Sequence, residues 1–389
     1  MERKMKDSGH SWLGEIPEHW KISRVKHFSN IFSGEQLSQE YFTEDKLYPI
    51  YGGGDVMGYS KIHNVPKNSL ILGRVGGDGQ VRHIKSDFWA TDNSLIIKTS
   101  LNKTYLCGVL NSTNLLRLNT STSQPLLTAS KIKNVPIPVP PLAEQELIAA
   151  YLDVKCGEID ELIDVEQQMI SDLESYRQAV ITETVTHGIN PTAPTKPTAI
   201  PWISSIPEQW KEIRLKFLSR ISTGDKDTIM ANDEGEYPFF VRSPKIERIN
   251  TYSYDGEAIL MAGDGVGAGR VFHHFIGKFD WHQRVYNMHE LTSSIYGRFL
   301  FYFLLANFHK LIDAGSAKST VDSVRLPMLT NFLVLVPPIE EQREISDYLD
   351  AKCTEIDELI KVKQEKIETL KQYRQSLIFE AVTGKTTIA

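Results

Sequence analysis

Trp12-Leu13-Gly14-Glu15-Ile16-Pro17-Glu18-His19-Trp20 returns 190 residues later as Trp202-Ile203-Ser204-Ser205-Ile206-Pro207-Glu208-Gln209-Trp210. A second landmark, Pro140-Pro141-Leu142-Ala143-Glu144-Gln145, returns 197 residues later as Pro337-Pro338-Ile339-Glu340-Glu341-Gln342. The same offset of 197 carries Tyr151-Leu152-Asp153 to Tyr348-Leu349-Asp350, the run from Glu158 to Ile163 onto that from Glu355 to Ile360, and Tyr176-Arg177-Gln178 to Tyr373-Arg374-Gln375. Both offsets are close to half of the 389 residues, so the chain is two tandem copies of one unit. The Pro/Thr-rich stretch 186–201 reads as the linker between them.

Within each copy the texture changes once, at the Pro-Pro pair. Before it, short β-branched and aromatic runs such as Leu70-Ile71-Leu72, Ser94-Leu95-Ile96-Ile97 and Phe332-Leu333-Val334-Leu335-Val336 alternate with glycine and asparagine, which predicts a mainly β globule with one or two helices, one of them from Gly297 to Ile312. After it, proline and glycine nearly vanish and the apolar spacing becomes helical. Leu152, Ile159, Leu173 and Val180 form a seven-residue ladder, with Ile148, Leu162, Met169 and Tyr176 as a second seam. The later helix has Leu349, Ile356, Leu370 and Leu377 with Ile345, Leu359 and Tyr373. This is coiled-coil spacing, interrupted by Lys155 and Glu166 in one helix and by Lys352, Lys363 and Lys366 in the other. An antiparallel pairing places Glu166 opposite Lys363 or Lys366. The fold class expected is therefore α+β: globules at 1–141 and 202–338, and helices at 142–185 and 339–384 that pair as an antiparallel coiled coil in a tandem pseudo-two-fold repeat.

Composition narrows the function. With 41% apolar and 24% charged residues the chain has material for soluble cores, and no apolar run approaches the roughly 20 residues that span a bilayer. Nothing in residues 1–6 exports it, and Cys107, Cys156 and Cys353 form no CxxC pair, so a cytoplasmic protein without membrane association, disulfide framework or structural zinc is expected. The net charge of −6 divides unevenly. Residues 1–141 hold 17 basic against 12 acidic groups and residues 191–337 hold 16 against 15, whereas 142–190 hold 2 against 11 and 338–389 hold 8 against 11. The helices carry the acid, and the globules are left free to form local phosphate-binding patches.

The block from Met5 to Trp20, the Pro-Pro-(Leu/Ile)-x-Glu-Gln helix starts at 140 and 337, and the order globule-helix-globule-helix resemble the specificity subunit of Type I restriction-modification enzymes. The resemblance covers nearly the whole chain and departs where Ser204-Ser205 replaces Gly14-Glu15. It implies a DNA-reading subunit that catalyses nothing itself. Two target-recognition domains each read half of an interrupted duplex sequence, and two helices form an antiparallel coiled coil that spaces them. That coiled coil docks two methyltransferase subunits, to which nuclease-translocase subunits attach. S-adenosylmethionine, ATP and magnesium then belong to the partners, and this chain needs no cofactor. Physics agrees with the family: two unequal readers at the ends of a rod recognise two different half-sites.

Each globule carries a glycine-rich loop between strand-like runs. Gly73-Arg74-Val75-Gly76-Gly77-Asp78-Gly79-Gln80-Val81-Arg82-His83 is the first, and the run from Ala262 to His274 containing Asp264, Arg270, His273 and His274 is the second. Glycine permits close backbone approach, and Arg74, Asp78, Gln80, Arg82, His83, Asp264, Arg270, His273 and His274 supply the donors and acceptors that base edges require. A tight β-turn needing glycine only for positive φ is the alternative. Ser123 and Gln124, within Ser121-Thr122-Ser123-Gln124, and Lys318, Ser319 and Thr320 precede the helices and resemble the family's small polar segments near DNA. Tyr51 with Gly52-Gly53-Gly54, and Arg242 with Lys245, are weaker candidates, and the four repeated tryptophans suit core anchors.

Several chemistries are excluded. Gly263-Asp264-Gly265-Val266-Gly267-Ala268 fits a dinucleotide fingerprint, but a strand-like run follows where a helix must start. Gly384-Lys385-Thr386 imitates the end of a phosphate loop, with Phe379 where its first glycine belongs. The Asn-Pro-Pro-(Tyr/Phe) tetrapeptide of amino-methyltransferases is missing, and Glu44-Asp45-Lys46 lacks the carboxylate that a nuclease needs upstream. His273, His274, His282 and His289 lack carboxylates or cysteines at ligand spacing. The remaining rivals are a single-chain restriction-methylation enzyme, opposed by these absences, a specificity subunit of a related methyltransferase-nuclease system, and a coiled-coil scaffold that binds no DNA.

Overall fold

A computed structural model describes residues 3–118, 126–315 and 323–388, with the side chains of 314 and 315 left out. Among the described residues there are six α-helices: α1 (Lys103–Ser112), α2 (Ala129–Lys133), α3 (Leu142–His187), α4 (Gly297–Gly315), α5 (Leu326–Thr330) and α6 (Ile339–Thr383). The texture boundaries mark where helices begin, but contacts divide the chain elsewhere. One compact unit comprises 1–167 with 364–389 and the other 168–363, because halves of α3 and α6 pair with each other inside each unit.

In the first unit Ser29–Ser33, Ser94–Thr99, Ser69–Gly73 and Val81–Ile84 form a four-stranded antiparallel sheet in that order. A second four-stranded sheet orders Trp89–Ala90, Tyr48–Tyr51, Val56–Ser60 and Phe42–Thr43, its first pair being parallel. The core packs Trp20, Tyr105, Leu106 and Val109 against Ile148, Leu152, Leu377 and Val382 of the long helices. Each such fully buried side chain contributes roughly 1.5–3 kcal/mol.

The second unit has a six-stranded sheet ordered Arg220–Thr223, Val285–His289, Tyr254–Ala262, Phe272–Trp281, Tyr237–Phe240 and Glu247–Ile249, with one parallel pair where Phe239 meets Asp280. Its core gathers Trp210, Phe299, Phe303 and Phe308 with Ile345 and Leu349. The tryptophans anchor cores: Trp20 and Trp210 are fully buried, and Trp202 stacks on Phe332 while its indole N-H donates to Asn307 Oδ1 at 3.1 Å.

The Pro-Pro-x-x-Glu-Gln motif ties each long helix to its globule. Gln145 Nε2 donates to the Pro140 carbonyl at 2.9 Å while its Oε1 accepts the Asn102 amide, next to the N-terminus of α1. Gln342 makes the same pair of bonds with Pro337 and Tyr296. Both glutamine side chains are buried, so these bonds satisfy polar groups that would otherwise cost free energy. Stretch 186–201 is more than a linker. Thr195–Pro197 pairs with Ser205–Pro207 as Met5–Asp7 pairs with Glu15–Pro17, and Lys196 Nζ reaches the Glu208 carbonyl as Lys6 reaches Glu18, both at 2.6 Å. The repeat thus begins upstream of the tryptophan block, under a Pro/Thr composition that resembles a linker.

The helices run antiparallel. Asp160 pairs with Arg374 and Glu166 with Lys366 in the first unit, and in the second Met169 meets Lys363 and Arg177 pairs with Asp357. One ladder is as expected, with Leu152, Ile159, Leu349, Ile356 and Leu377 buried. The second seam holds only at its start, where Ile148 and Ile345 are buried, while Leu162, Met169, Tyr176, Leu359 and Tyr373 are 41–58% exposed. The inward positions are one residue further along, at Cys156, Ile163, Ile170 and Arg177 and at Cys353, Ile360, Ile367 and Arg374. A heptad ladder is flanked three residues away on one side and four on the other, and period alone does not say which side faces the partner.

Candidate nucleic-acid interface

In the first unit, the chain between Ser69–Gly73 and Val81–Ile84 folds onto the bend at Gly52-Gly53-Gly54. A Cβ on Gly73 would lie 1.7 Å from the Gly53 carbonyl oxygen, and one on Gly77 would lie 2.2 Å from the same atom, so only glycine fits either place. Gly76 and Gly79 take positive φ of 65° and 73°. The weaker candidate segment at Tyr51–Gly54 and the stronger loop therefore form one surface.

Asp78 organises that surface. Its Oδ1 accepts the Gln80 amide at 2.9 Å, and its two oxygens accept from Arg82 at 2.7 and 3.2 Å. Asp55, at the end of the triple-glycine bend, takes the same guanidinium at 3.1 Å. Exposed ion pairs of this kind add little stability, but they hold a planar five-donor group in one orientation. Gln80 is exposed beside it, and Arg74 is half-buried, with its backbone bonded to Asn93 and Leu127. His83 stands apart: its Nδ1 meets Thr104 Oγ1 of α1 at 3.3 Å, and burial, then Lys85, hold its pKa below the ordinary value.

The second unit repeats the device with other residues. Gly265 and Gly269 take φ of 74° and 62°, and a Cβ on Gly269 would lie 2.1 Å from Ile312 Cδ1. Asp264 accepts from Arg242 at 3.0 Å and lies 3.7 Å from the Arg284 guanidinium. Val266 at the loop tip is 97% exposed. Arg270 turns to α4, where Asp313 holds it at 2.5 Å. Successive side chains on a strand face opposite ways, and His273 and His274 do so. His273 Nε2 is 3.3 Å from the Ser243 carbonyl with its ring on Phe240, while His274 is bonded to Glu257 at 2.8 Å near Phe301 of α4. Burial lowers the pKa of His273, offset in part by the Ser243 carbonyl.

Ser123, Gln124, Lys318, Ser319 and Thr320 lie outside the described residues. The chain that follows them is described, and in each unit it joins the glycine loop. Leu126 bridges Val75 and the Leu127 amide donates to the Arg74 carbonyl, while Ser323 bridges Asp264 and the Val324 amide donates to the Gly263 carbonyl. Sequence reasoning missed Asp55 and Arg284. Asp55 was signalled by the glycines before it, whereas Arg284 enters only because its strand neighbours that of the loop.

Two units with the same plan, each presenting an arginine paired with a loop aspartate on a glycine-built surface, define a tandem two-unit protein. The match to known proteins is specific. The model of the Type I restriction modification DNA specificity domain fits residues 17–175 and again 207–369, and the chain belongs to that family. The specificity subunit of Type I restriction enzyme EcoDI from Escherichia coli is 32% identical over 183 residues, which are 47% of this chain and 40% of that relative. The putative Type I restriction enzyme MjaX specificity subunit from Methanocaldococcus jannaschii is 23% identical over 97% of this chain and 96% of its own length. A solved chain from work on complex assembly and conformational transition of the type I R-M system shares the fold, with TM-score 0.69 and 18% identity over 95% of this chain and 99% of that one. The chain is thus a DNA sequence-recognition subunit of the Type I class. Among the described residues, no helix is long and apolar enough to cross a membrane.

Proposed function

We propose that each unit reads one half of an interrupted, asymmetric duplex site, and that this chain catalyses no reaction alone. In this reading the paired helices dock two methyltransferase subunits, nuclease-translocase subunits join through those, and S-adenosylmethionine, ATP and magnesium act on the partners in the cytoplasm. One observation carries it: each unit holds an arginine by a loop aspartate, Arg82 by Asp78 and Arg242 by Asp264, in surroundings that otherwise differ. A guanidinium fixed in its plane suits the O6 and N7 acceptors of guanine, and unlike surroundings imply unlike half-sites. Asp55, Gln80, Arg74, His273 and Arg284 are the neighbouring groups proposed to contact the duplex. The role proposed for Arg270, His83 and His274 is to support the loops.

Gel shifts across a salt series test the reading against a scaffold that binds no DNA. Phosphate contacts give a steep loss of affinity with salt, and base contacts give a preference among sequences that survives at each salt concentration. Salt-independent or absent binding would remove DNA from the account.

A further inference from the structure

The repeat allows each position in one unit to be checked against its counterpart. Gln145 accepts the Asn102 amide and Gln342 the Tyr296 amide, and Tyr105 and Phe299 meet Trp20 and Trp210 edge-on at 6.5 and 6.4 Å. Helices α1 and α4 therefore correspond at an offset of 194, and the long helices at 197. On that register Thr104 matches Arg298, Cys107 matches Phe301, Gly108 matches Tyr302, and Asp153 matches Asp350.

The two places are filled differently. In the second unit Arg298 Nε and Nη2 donate to Asp350 Oδ1 at 2.8 and 2.5 Å, and the Tyr302 hydroxyl donates to the same atom at 2.6 Å. The guanidinium also lies over the rings of Phe301 and Tyr302, at 5.2 and 4.8 Å. In the first unit, where those three residues are threonine, cysteine and glycine, a cavity of about 460 Å³ opens beside Thr104, Cys107, Asp153 and Gly157. A Cβ on Gly157 would meet nothing within 4 Å. Leu152 and Ile378 give the cavity an apolar wall.

We propose that this cavity binds a guanidinium group on a short apolar stem, held by Asp153 in the place that Arg298 takes in the second unit. The charges around it permit this. Arg374 is neutralised by Asp160 at 2.9 Å, and Arg82 by Asp78 and Asp55. Among the described residues Asp153 forms an ion pair only with the Lys85 ammonium, 4.0 Å away and 61% exposed, which moves into solvent at little cost, and it also faces His83, whose pKa burial lowers. A planar donor pair bonds a carboxylate more tightly than that point charge does. The guanidinium has two sources of the same chemistry, a free guanidino compound or an arginine side chain of a partner protein.

Agmatine titrated into the full chain at constant ionic strength, with sodium chloride as control, tests this by calorimetry and melting temperature. Saturable one-site binding is expected, weakened at least about tenfold by Asp153→Asn and abolished by Thr104→Arg, which supplies an internal guanidinium. Arg298→Ala opens the corresponding place in the second unit and is expected to double the stoichiometry, so it serves as a positive control. Titrating complexes with the modification subunits separates the sources. Loss of assembly with agmatine or Asp153→Asn identifies a partner's arginine, and unchanged assembly with agmatine still bound identifies a free compound. No saturable uptake by the unaltered chain, or equal uptake by folded Asp153→Asn, overturns the proposal whatever the DNA reading proves to be.

Discussion

Lys366 Nζ lies 2.5 Å from Glu166 Oε1, so a carboxylate that is only 5% exposed is met by an ammonium that is 53% exposed. The pair sits on the two antiparallel helices, where an apolar residue would pack without this desolvation. Removing only the lysine takes away a charge-assisted hydrogen bond that this carboxylate accepts. Lys366→Ala is therefore expected to destabilise by about 1–3 kcal/mol, below the full cost of breaking a fully buried pair because Lys366 is half in water. Glu166→Leu is expected to be neutral or stabilising, and the exchange Glu166→Lys with Lys366→Glu to recover part of the loss. Urea denaturation of the three variants measures this.

Glu144 gives the stability of the first unit a pH dependence. Burial raises its pKa, but the indole of Trp20 and the ring of His19 bond to it, with Arg3 close by, and together they outweigh burial and lower it. A carboxyl group with a depressed folded pKa contributes stability that is complete above its unfolded value, near 4.5, and is lost as pH falls through the folded value. The first unit is expected to lose stability in acid below that point, and Glu144→Gln to flatten the slope. Melting temperatures between pH 3 and 6 would show it, and an unchanged slope in the variant would assign the acid sensitivity to other groups.

Two neighbouring glycines separate backbone freedom from close approach. Gly76 has φ of 65° and open space around it, so Gly76→Ala is expected to cost about 1 kcal/mol. Gly73 faces the Gly53 carbonyl, and Gly73→Ala must push two backbone segments apart, at about 3 kcal/mol or more. Comparable losses in both would mean that the loop accommodates a methyl group by moving as a whole.

Much of this organisation is legible in the sequence. The repeat, the switch from β to helical texture and the first heptad ladder are local patterns in which residue type follows period. What failed did so for physical reasons. The choice between Leu162 and Ile163 as inward positions depends on which side of α3 meets α6, and the edge strand at Thr195–Pro197 was hidden by a composition typical of linkers. Arg284 joins Asp264 across neighbouring strands 20 residues apart, which no local motif records. Conversely Arg270 sits in the right loop but pairs with Asp313 of α4, and His274 sits in the right strand but turns inward to Glu257.

The partners sort the arginines: Asp313 of α4 holds Arg270, and the loop residue Asp264 holds Arg242. Arg270 and Asp313 are both about half exposed, so Arg270→Ala is expected to change stability by less than about 1 kcal/mol and to leave sequence preference nearly intact. Arg242→Ala removes a donor held on the loop surface and is expected to cost about 1–3 kcal/mol of discrimination in one half-site. Competition binding with single-base variants of the selected site distinguishes the two.

The division of recognition between two units is tested most directly by mapping methylated adenines across the genome of cells that carry the complete system with the unaltered chain, Arg82→Ala or Arg242→Ala. A two-part motif is predicted, with Arg82→Ala relaxing one part and Arg242→Ala only the other. A continuous motif, or a single variant that alters both parts alike, would contradict it.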